Sequence, residues 1–123
     1  MTKSETEELA ERCEKATGPL RELELDIHET LFGRGYTANW FQTDGSRVPR
    51  YTASLEAAMT LVPEGCQEWH CGRNIKTGKG QAYLLNPATM RAPIYVHAET
   101  PALALCAAAL RATLKEESNA TDR

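Results

Sequence analysis

The segment TPALALCAAALRA, at residues 100–112, decides the fold of this chain. Thr100 can cap a helix, and Pro101 suits the first helical position, where its missing N–H costs nothing. Apolar residues then recur at the helical period: Leu103, Cys106, Ala107, Leu110 and Leu114. The other alanines extend this apolar surface around the helix, and a helix of this kind is typically buried. We therefore predict a central core helix over residues 101–115, followed by a mobile polar tail over residues 116–123.

Two helices are predicted at the start of the chain, with a Gly-Pro pair at their junction. The first covers residues 4–17, because Ser4 and Glu7 have the spacing of a capping box and Gly18 can end the helix. The second covers residues 19–32, and its apolar residues share one face: Leu20, Leu23, Ile27 and Leu31. Its acidic residues are expected to form a solvated face: Glu22, Glu24, Asp26 and Glu29.

A short third helix is predicted over residues 54–61, with Thr52 as its cap. Its inner side is expected to carry four apolar residues: Leu55, Ala58, Met59 and Val62. Three strand-like segments follow at residues 66–73, 80–86 and 92–98, and turn-rich stretches separate them. Short connections of this kind favour antiparallel pairing, so we predict a three-stranded meander.

These elements predict an α+β fold with the order ααα-βββ-α. Both faces of the predicted sheet carry apolar residues, so helices are expected to cover both, at least in part, as an α-β-α layered sandwich. A strand near Trp40 is an alternative extension of this sheet. A chain of 123 residues has the usual length of one domain. We expect residues 1–123 to form a single domain that is ordered from about residue 5 to about residue 115.

The composition, with 41% hydrophobic and 25% charged residues, is ordinary for a globular domain. No apolar run is long enough to span a bilayer, and the first residues lack the apolar core of a signal peptide. We therefore expect a cytoplasmic protein with reduced cysteines and no membrane partner. The net charge of −3 is unevenly distributed: residues 1–32 carry −5, residues 33–97 carry +3, and residues 98–123 carry −1.

Cysteine and histidine give a weak metal signal in the first predicted strand. Cys66 and His70 would share one face of that strand, Cys71 would point to the other, and the chain has no Cys-x-x-Cys pair. Nucleotide-binding loops and nucleophile motifs are also absent from the sequence. We therefore expect no metal, no cofactor and no catalytic residues. A small hydrolase or a metalloprotein is the third of three functional alternatives.

Three stretches together resemble a known family. They are ATGPxREL at residues 16–23, PRYTxSLxAAxxLVPEG at residues 49–65 and TPALALCAAAL at residues 100–110. The chain resembles, from about residue 9 to about residue 115, the small phage and prophage proteins grouped as the phage ABA sandwich domain. The resemblance implies an α-β-α layered domain from a phage or prophage genome, and it implies no activity. Cys66 departs from the family pattern, in which an aromatic residue often follows Pro-Glu-Gly.

The first functional interpretation is a non-enzymatic accessory protein that binds a host or phage protein, a class that includes inhibitors of host defence. The predicted connection at residues 33–52 is longer than compact domains usually contain, and it is rich in aromatic residues. Aromatic residues and arginine are enriched in interface hot spots. The predicted partner-binding residues are Tyr36, Trp40, Phe41, Arg47 and Arg50. The alternative is that these rings form a lid over the sheet.

The second interpretation is a nucleic-acid-associated protein. Three cations lie around the predicted hairpin between the first two strands: Arg73, Lys76 and Lys79. Cations accompanied by aromatic residues are typical of single-strand binding. The net charge of −3 weakens this interpretation, because affinity for nucleic acid depends mostly on neutralising phosphates.

Overall fold

The computed structural model describes residues 5–32, 49–87 and 92–121, with side chains through residue 31, over residues 49–87 and from residue 92 to residue 115. In these ranges the elements follow one another as α1 (Glu5–Lys15), α2 (Arg21–Phe32), α3 (Leu55–Met59), β1 (Glu68–Arg73), β2 (Gly80–Leu85), β3 (Ile94–Ala98) and α4 (Pro101–Thr121). The α+β class is therefore confirmed, and the element order of the described residues is the predicted one.

The three strands form one antiparallel sheet in the order β1-β2-β3, which confirms the predicted meander. Tyr83, in the central strand, lies opposite His70 on one side and Tyr95 on the other. At the β1–β2 turn, the N–H of Asn74 donates to the carbonyl of Lys79 at 2.7 Å. Because side chains alternate along a strand, this register decides which residues share each face of the sheet.

Helix α4 is the centre of the packing. It contacts all three strands as well as α1 and α3. Every residue from 102 to 110 is buried, as the prediction of a core helix required. The sheet face that meets α4 contributes small and branched side chains: Ala82, Leu84, Val96 and Ala98. Small residues on both partners allow this close approach.

Gly80, the first residue of β2, marks the closest approach between the sheet and α4. A Cβ atom at this position would lie 2.1 Å from the carbonyl carbon of Thr100 and 2.2 Å from the nitrogen of Pro101. Both of those atoms belong to the backbone and cannot turn away, so a side chain here would force the strand and the helix apart.

On the opposite face of the sheet, which we call the outer face, the side chains remain accessible to solvent. His70, Tyr95 and His97 are exposed there, and Tyr83 is partly buried. Within the described ranges, no helix covers these side chains. Among the described residues, the helices that pack against the sheet therefore lie on its inner face.

Helix α1 packs against α4, β3 and α2. Its buried residues include Leu9, Ala10 and Cys13. At the edge of this contact, the Arg111 guanidinium donates to both carboxylate oxygens of Glu14, at 2.7 and 2.9 Å. This two-point ion pair joins α4 to α1 and orients one helix along the other.

Three predictions about element ends and faces were wrong. Ser54, not Thr52, caps α3, and its hydroxyl accepts the N–H of Ala57 at 3.2 Å. Leu55 and Met59 are exposed, because a helix of five residues buries little more than Ala58. The expected mobile tail is helical as far as Thr121. No helix in the described ranges is long and apolar enough to cross a bilayer.

Replacing Leu110 with Asp should unfold the protein. Leu110 is fully buried on α4, so the new carboxylate would lose its hydration without gaining a partner. We expect the free energy of unfolding to fall by about 4 kcal/mol, measured by urea denaturation. The control is Lys115→Asp, an exposed position on the same helix, which should change stability by less than about 1 kcal/mol. A cooperative melt close to that of the unmodified protein would contradict the packing of α4.

Candidate functional site

Most of the predicted partner-binding residues lie outside the described ranges: Tyr36, Trp40, Phe41 and Arg47. For these residues the partner surface stays a prediction. Arg50 is described and is exposed, whereas Tyr51, next to it, is 1% exposed and belongs to the core. The described end of the predicted long connection therefore contains one solvent-facing cation and one core ring.

Glu24 is buried, with 2% of its surface exposed, so the prediction that it lies on a solvated face was wrong. Its carboxylate accepts the N–H of Thr52 at 3.0 Å and the hydroxyl of Thr52 at 2.6 Å. Arg21 donates to the other carboxylate oxygen at 2.9 Å. These bonds replace the hydration that burial removes and tie α2 to the chain that precedes α3. They also explain why Thr52 does not cap α3.

His28, one helical turn after Glu24, makes the second polar anchor of α2. Its Nδ1 and the hydroxyl of Tyr51 share a hydrogen bond of 2.7 Å, and the carbonyl of Tyr51 accepts the thiol of Cys106 at 3.1 Å. Glu24 lies three residues before Ile27, and His28 lies three residues before Leu31, so both are at helical spacing from the apolar face of α2. That spacing is the signal by which the buried pair could have been found in the sequence.

The buried cluster does not activate a cysteine. A hydrogen bond with Cys13, together with burial, raises the pKa of the Cys106 thiol, and burial alone raises the pKa of Cys71. Both thiols are therefore protonated at neutral pH, whereas the nucleophilic form of cysteine is the thiolate. The arrangement holds α2 and residues 49–54 against α4, and it provides no attacking group.

Burial lowers the pKa of His28 below its ordinary value of 6.5. The unfolded chain therefore binds a proton at this residue that the folded chain resists, and the free energy of unfolding should fall as the pH drops below 6.5. Denaturation at a series of pH values measures this slope. His28→Gln should reduce the slope between pH 6.5 and the lower pKa of the folded state. Equal slopes in the unmodified protein and in His28→Gln would contradict this account.

The outer face of the sheet carries four rings in a continuous group, which we call the ring face: His70, Tyr83, Tyr95 and His97. The rings of His70 and Tyr83 stack with their centroids 4.6 Å apart and their planes 6° apart. The ring of Tyr95 meets that of Tyr83 edge-on, with centroids 6.4 Å apart. It is tilted by 51° relative to the ring of His97, with centroids 5.1 Å apart. This surface was not among the sequence predictions, because recognising it requires the cross-strand register that places His70 opposite Tyr83.

A hydrogen bond from Tyr83 to Glu68 ties the stacked pair to the end of β1. The Tyr83 hydroxyl donates to the carboxylate at 3.4 Å. Burial, with the negative charge of Glu68 as a further cause, raises the pKa of Tyr83, so its hydroxyl stays protonated. Tyr95 is 53% exposed, more than any other tyrosine or tryptophan side chain of the sheet. Within the ring face, stacking and a hydrogen bond therefore hold Tyr83 in place, whereas Tyr95 is exposed to solvent.

The three predicted nucleic-acid residues come together at the β1–β2 hairpin. Arg73, Lys76 and Lys79 are all exposed, and Arg73 donates to the carbonyl of Gly78 at 2.6 Å. The hairpin is therefore a compact cationic projection beside the ring face.

The weak metal signal separates, but the prediction that Cys66 shares a strand face with His70 was wrong: Cys66 lies before β1 and packs against the core. His70 belongs to the outer face, while Cys71 packs against the core on the inner face. Within the described residues, no three side chains of the metal-binding types come together.

No family model, curated protein or solved structure matches this chain.

Nucleic acid should bind weakly. A single-strand platform offers ring faces to the bases, but His70 and Tyr83 turn their faces toward each other. We expect a Kd in or above the general non-specific range of about 10⁻⁶ to 10⁻⁴ M, measured by fluorescence anisotropy with labelled single strands. The charge-reversed variant Lys76→Glu should weaken what binding there is. Nanomolar affinity that falls steeply with salt would contradict this expectation.

Proposed function

We propose that this protein is a non-enzymatic binding protein and that a partner protein docks on the ring face. The observation that carries the proposal is the exposed group of aromatic and imidazole rings on a sheet face where alternation would ordinarily leave polar side chains. Tyrosine is enriched in the few interface residues that supply most of the binding energy. The three-stranded sheet that carries these rings limits their movement, which lowers the entropy lost when they bind.

The chemistry of the ring face favours a protein over a nucleic acid. Because His70 and Tyr83 stack on each other, one face of each ring is already occupied, and a base has fewer ring faces to stack on. Ring edges and a tyrosine hydroxyl suit the apolar side chains and polar backbone groups of a protein surface. The cations of the adjacent hairpin favour carboxylates on the facing part of the partner.

Two further arguments support a function without catalysis. The thiols of Cys71 and Cys106 have raised pKa values, which argues against a cysteine nucleophile. The buried carboxylate of Glu24 already accepts three hydrogen bonds and lies away from solvent. A role as a phage or prophage accessory protein that binds a host or phage protein rests only on the resemblance of residues 16–23, 49–65 and 100–110.

The ring-face proposal is tested with Tyr95→Ala. Proteins cross-linked to the unmodified chain in bacterial lysate are identified, purified and titrated by calorimetry against the unmodified and variant chains. We expect Tyr95→Ala to weaken binding at least tenfold, a loss of about 1.4 kcal/mol or more, which only a minority of interface residues cause when they are truncated. Its stability should change by less than about 1 kcal/mol, because Tyr95 is largely exposed.

Arg50→Ala separates the ring face from the surface predicted at residues 33–52. Arg50 is exposed and belongs to that predicted surface, not to the ring face. If the partner docks on the ring face, Arg50→Ala binds normally while Tyr95→Ala does not. Loss of binding in Arg50→Ala with normal binding in Tyr95→Ala would refute the ring-face proposal and favour the surface predicted from the sequence.

A further inference from the structure

Ile75, at the tip of the β1–β2 hairpin, is 98% exposed, more than any other large hydrophobic residue that the structure describes. A single exposed isoleucine is common on protein surfaces and carries no function by itself. Here it lies among three cations, Arg73, Lys76 and Lys79, on a projecting turn. An apolar side chain that is surrounded by positive charges suits a partner surface with an apolar cavity and acidic residues around it.

The backbone of the tip is held in one conformation. The side-chain oxygen of Asn74 accepts the N–H groups of Lys76 at 2.9 Å and Thr77 at 3.3 Å. The carbonyl of Asn74 accepts the N–H of Gly78 at 2.8 Å, and Gly78 takes a φ of 74°, which favours glycine. Because the turn is fixed and Ile75 has a branched side chain, docking the tip orders few additional bonds.

The same chain carries a surface that matches this tip. An open cavity of about 420 Å³ lies where α1 ends and α2 begins, and its lining comprises Glu8, Glu11, Arg12, Lys15, Ala16 and Leu20. Leu20 is 48% exposed there. Arg12 is partly neutralised because it donates to Asp26 at 2.9 Å. Two carboxylates and two cations line the cavity itself. The adjoining groove shares Glu8 and Arg12 and adds Glu5, Asp26 and Glu29, so acidic residues outnumber basic ones around the cavity and oppose the charge of the tip.

We propose that the hairpin tip of one copy docks into the α1–α2 cavity of a second copy, with Ile75 against Ala16 and Leu20. The tip cations then face the acidic surroundings of the cavity. Tip and cavity are different surfaces, so the contact is heterologous and can repeat from copy to copy. A hairpin tip buries less area than a standard interface, so the association is weak and salt-sensitive. This inference is independent of the ring-face proposal.

The test is sedimentation equilibrium of the full chain between about 10 μM and about 1 mM in low salt. We expect the average mass to rise beyond that of a dimer and to fall when salt is added. Ile75→Asp prevents the tip from docking, and Leu20→Asp prevents the cavity from accepting a tip. Each variant alone should therefore associate at least tenfold more weakly. An equimolar mixture of the two should form dimers and stop there, because only one functional tip and one functional cavity remain per pair.

The control is Met59→Asp, which changes another exposed hydrophobic residue that belongs to neither surface and should associate like the unmodified chain. Thermal melting verifies that each variant folds. If Leu20→Asp does not fold, Glu8→Lys takes its place as the cavity variant. A monomer at every concentration overturns the proposal. So does an equal loss of association in Met59→Asp, or a mixture of tip and cavity variants that remains monomeric.

Discussion

The packing of α4 on the inner face of the sheet is the interaction on which the rest of the structure depends. Residues 102–110 are buried without exception, and the helix also contacts α1 and α3. Its surface is made mostly of alanine, so its stabilisation comes from close approach over a broad area and less from large side chains. Gly80 shows how tight that approach is, since a Cβ atom would lie 2.1 Å from the backbone of Thr100.

Helix α2 is attached by a different kind of interaction. Among the helices and strands that the structure describes, α2 makes extensive contact with α1 alone, and it contributes the buried side chains of Leu23 and Ile27 to the core. Two buried polar residues, Glu24 and His28, instead bond to Thr52 and Tyr51 on the chain that precedes α3. Hydrogen bonds are directional, so these two anchors specify one position for α2. Packing against an alanine-rich core would by itself constrain that position less.

The surfaces available for binding follow from this one-sided packing. Because α4 covers the inner face, the alternation of the strands leaves His70, Tyr83 and Tyr95 on the outer face. The same sheet carries the β1–β2 hairpin, with the exposed Ile75 at its tip. A scaffold that is rigid on one side thus presents an aromatic surface and a cationic point that lose little conformational entropy when they bind.

The sequence by itself determined the α+β class, the meander and the core helix, because cap, proline and period signals are local. The alternation of β2 and β3 also contained the ring face, but recognising it required the cross-strand register that brings His70 opposite Tyr83. Only the tertiary structure decided that Glu24 is buried. The sequence predicted a solvated carboxylate, because charged residues are rarely buried unless they are paired. Its partner, Thr52, lies 28 residues away, and no local signal reports a hydrogen bond across that separation. The exposure of Leu55 and Met59 was likewise decided by which helix α3 meets, since periodicity identifies an apolar face but not whether another element covers it.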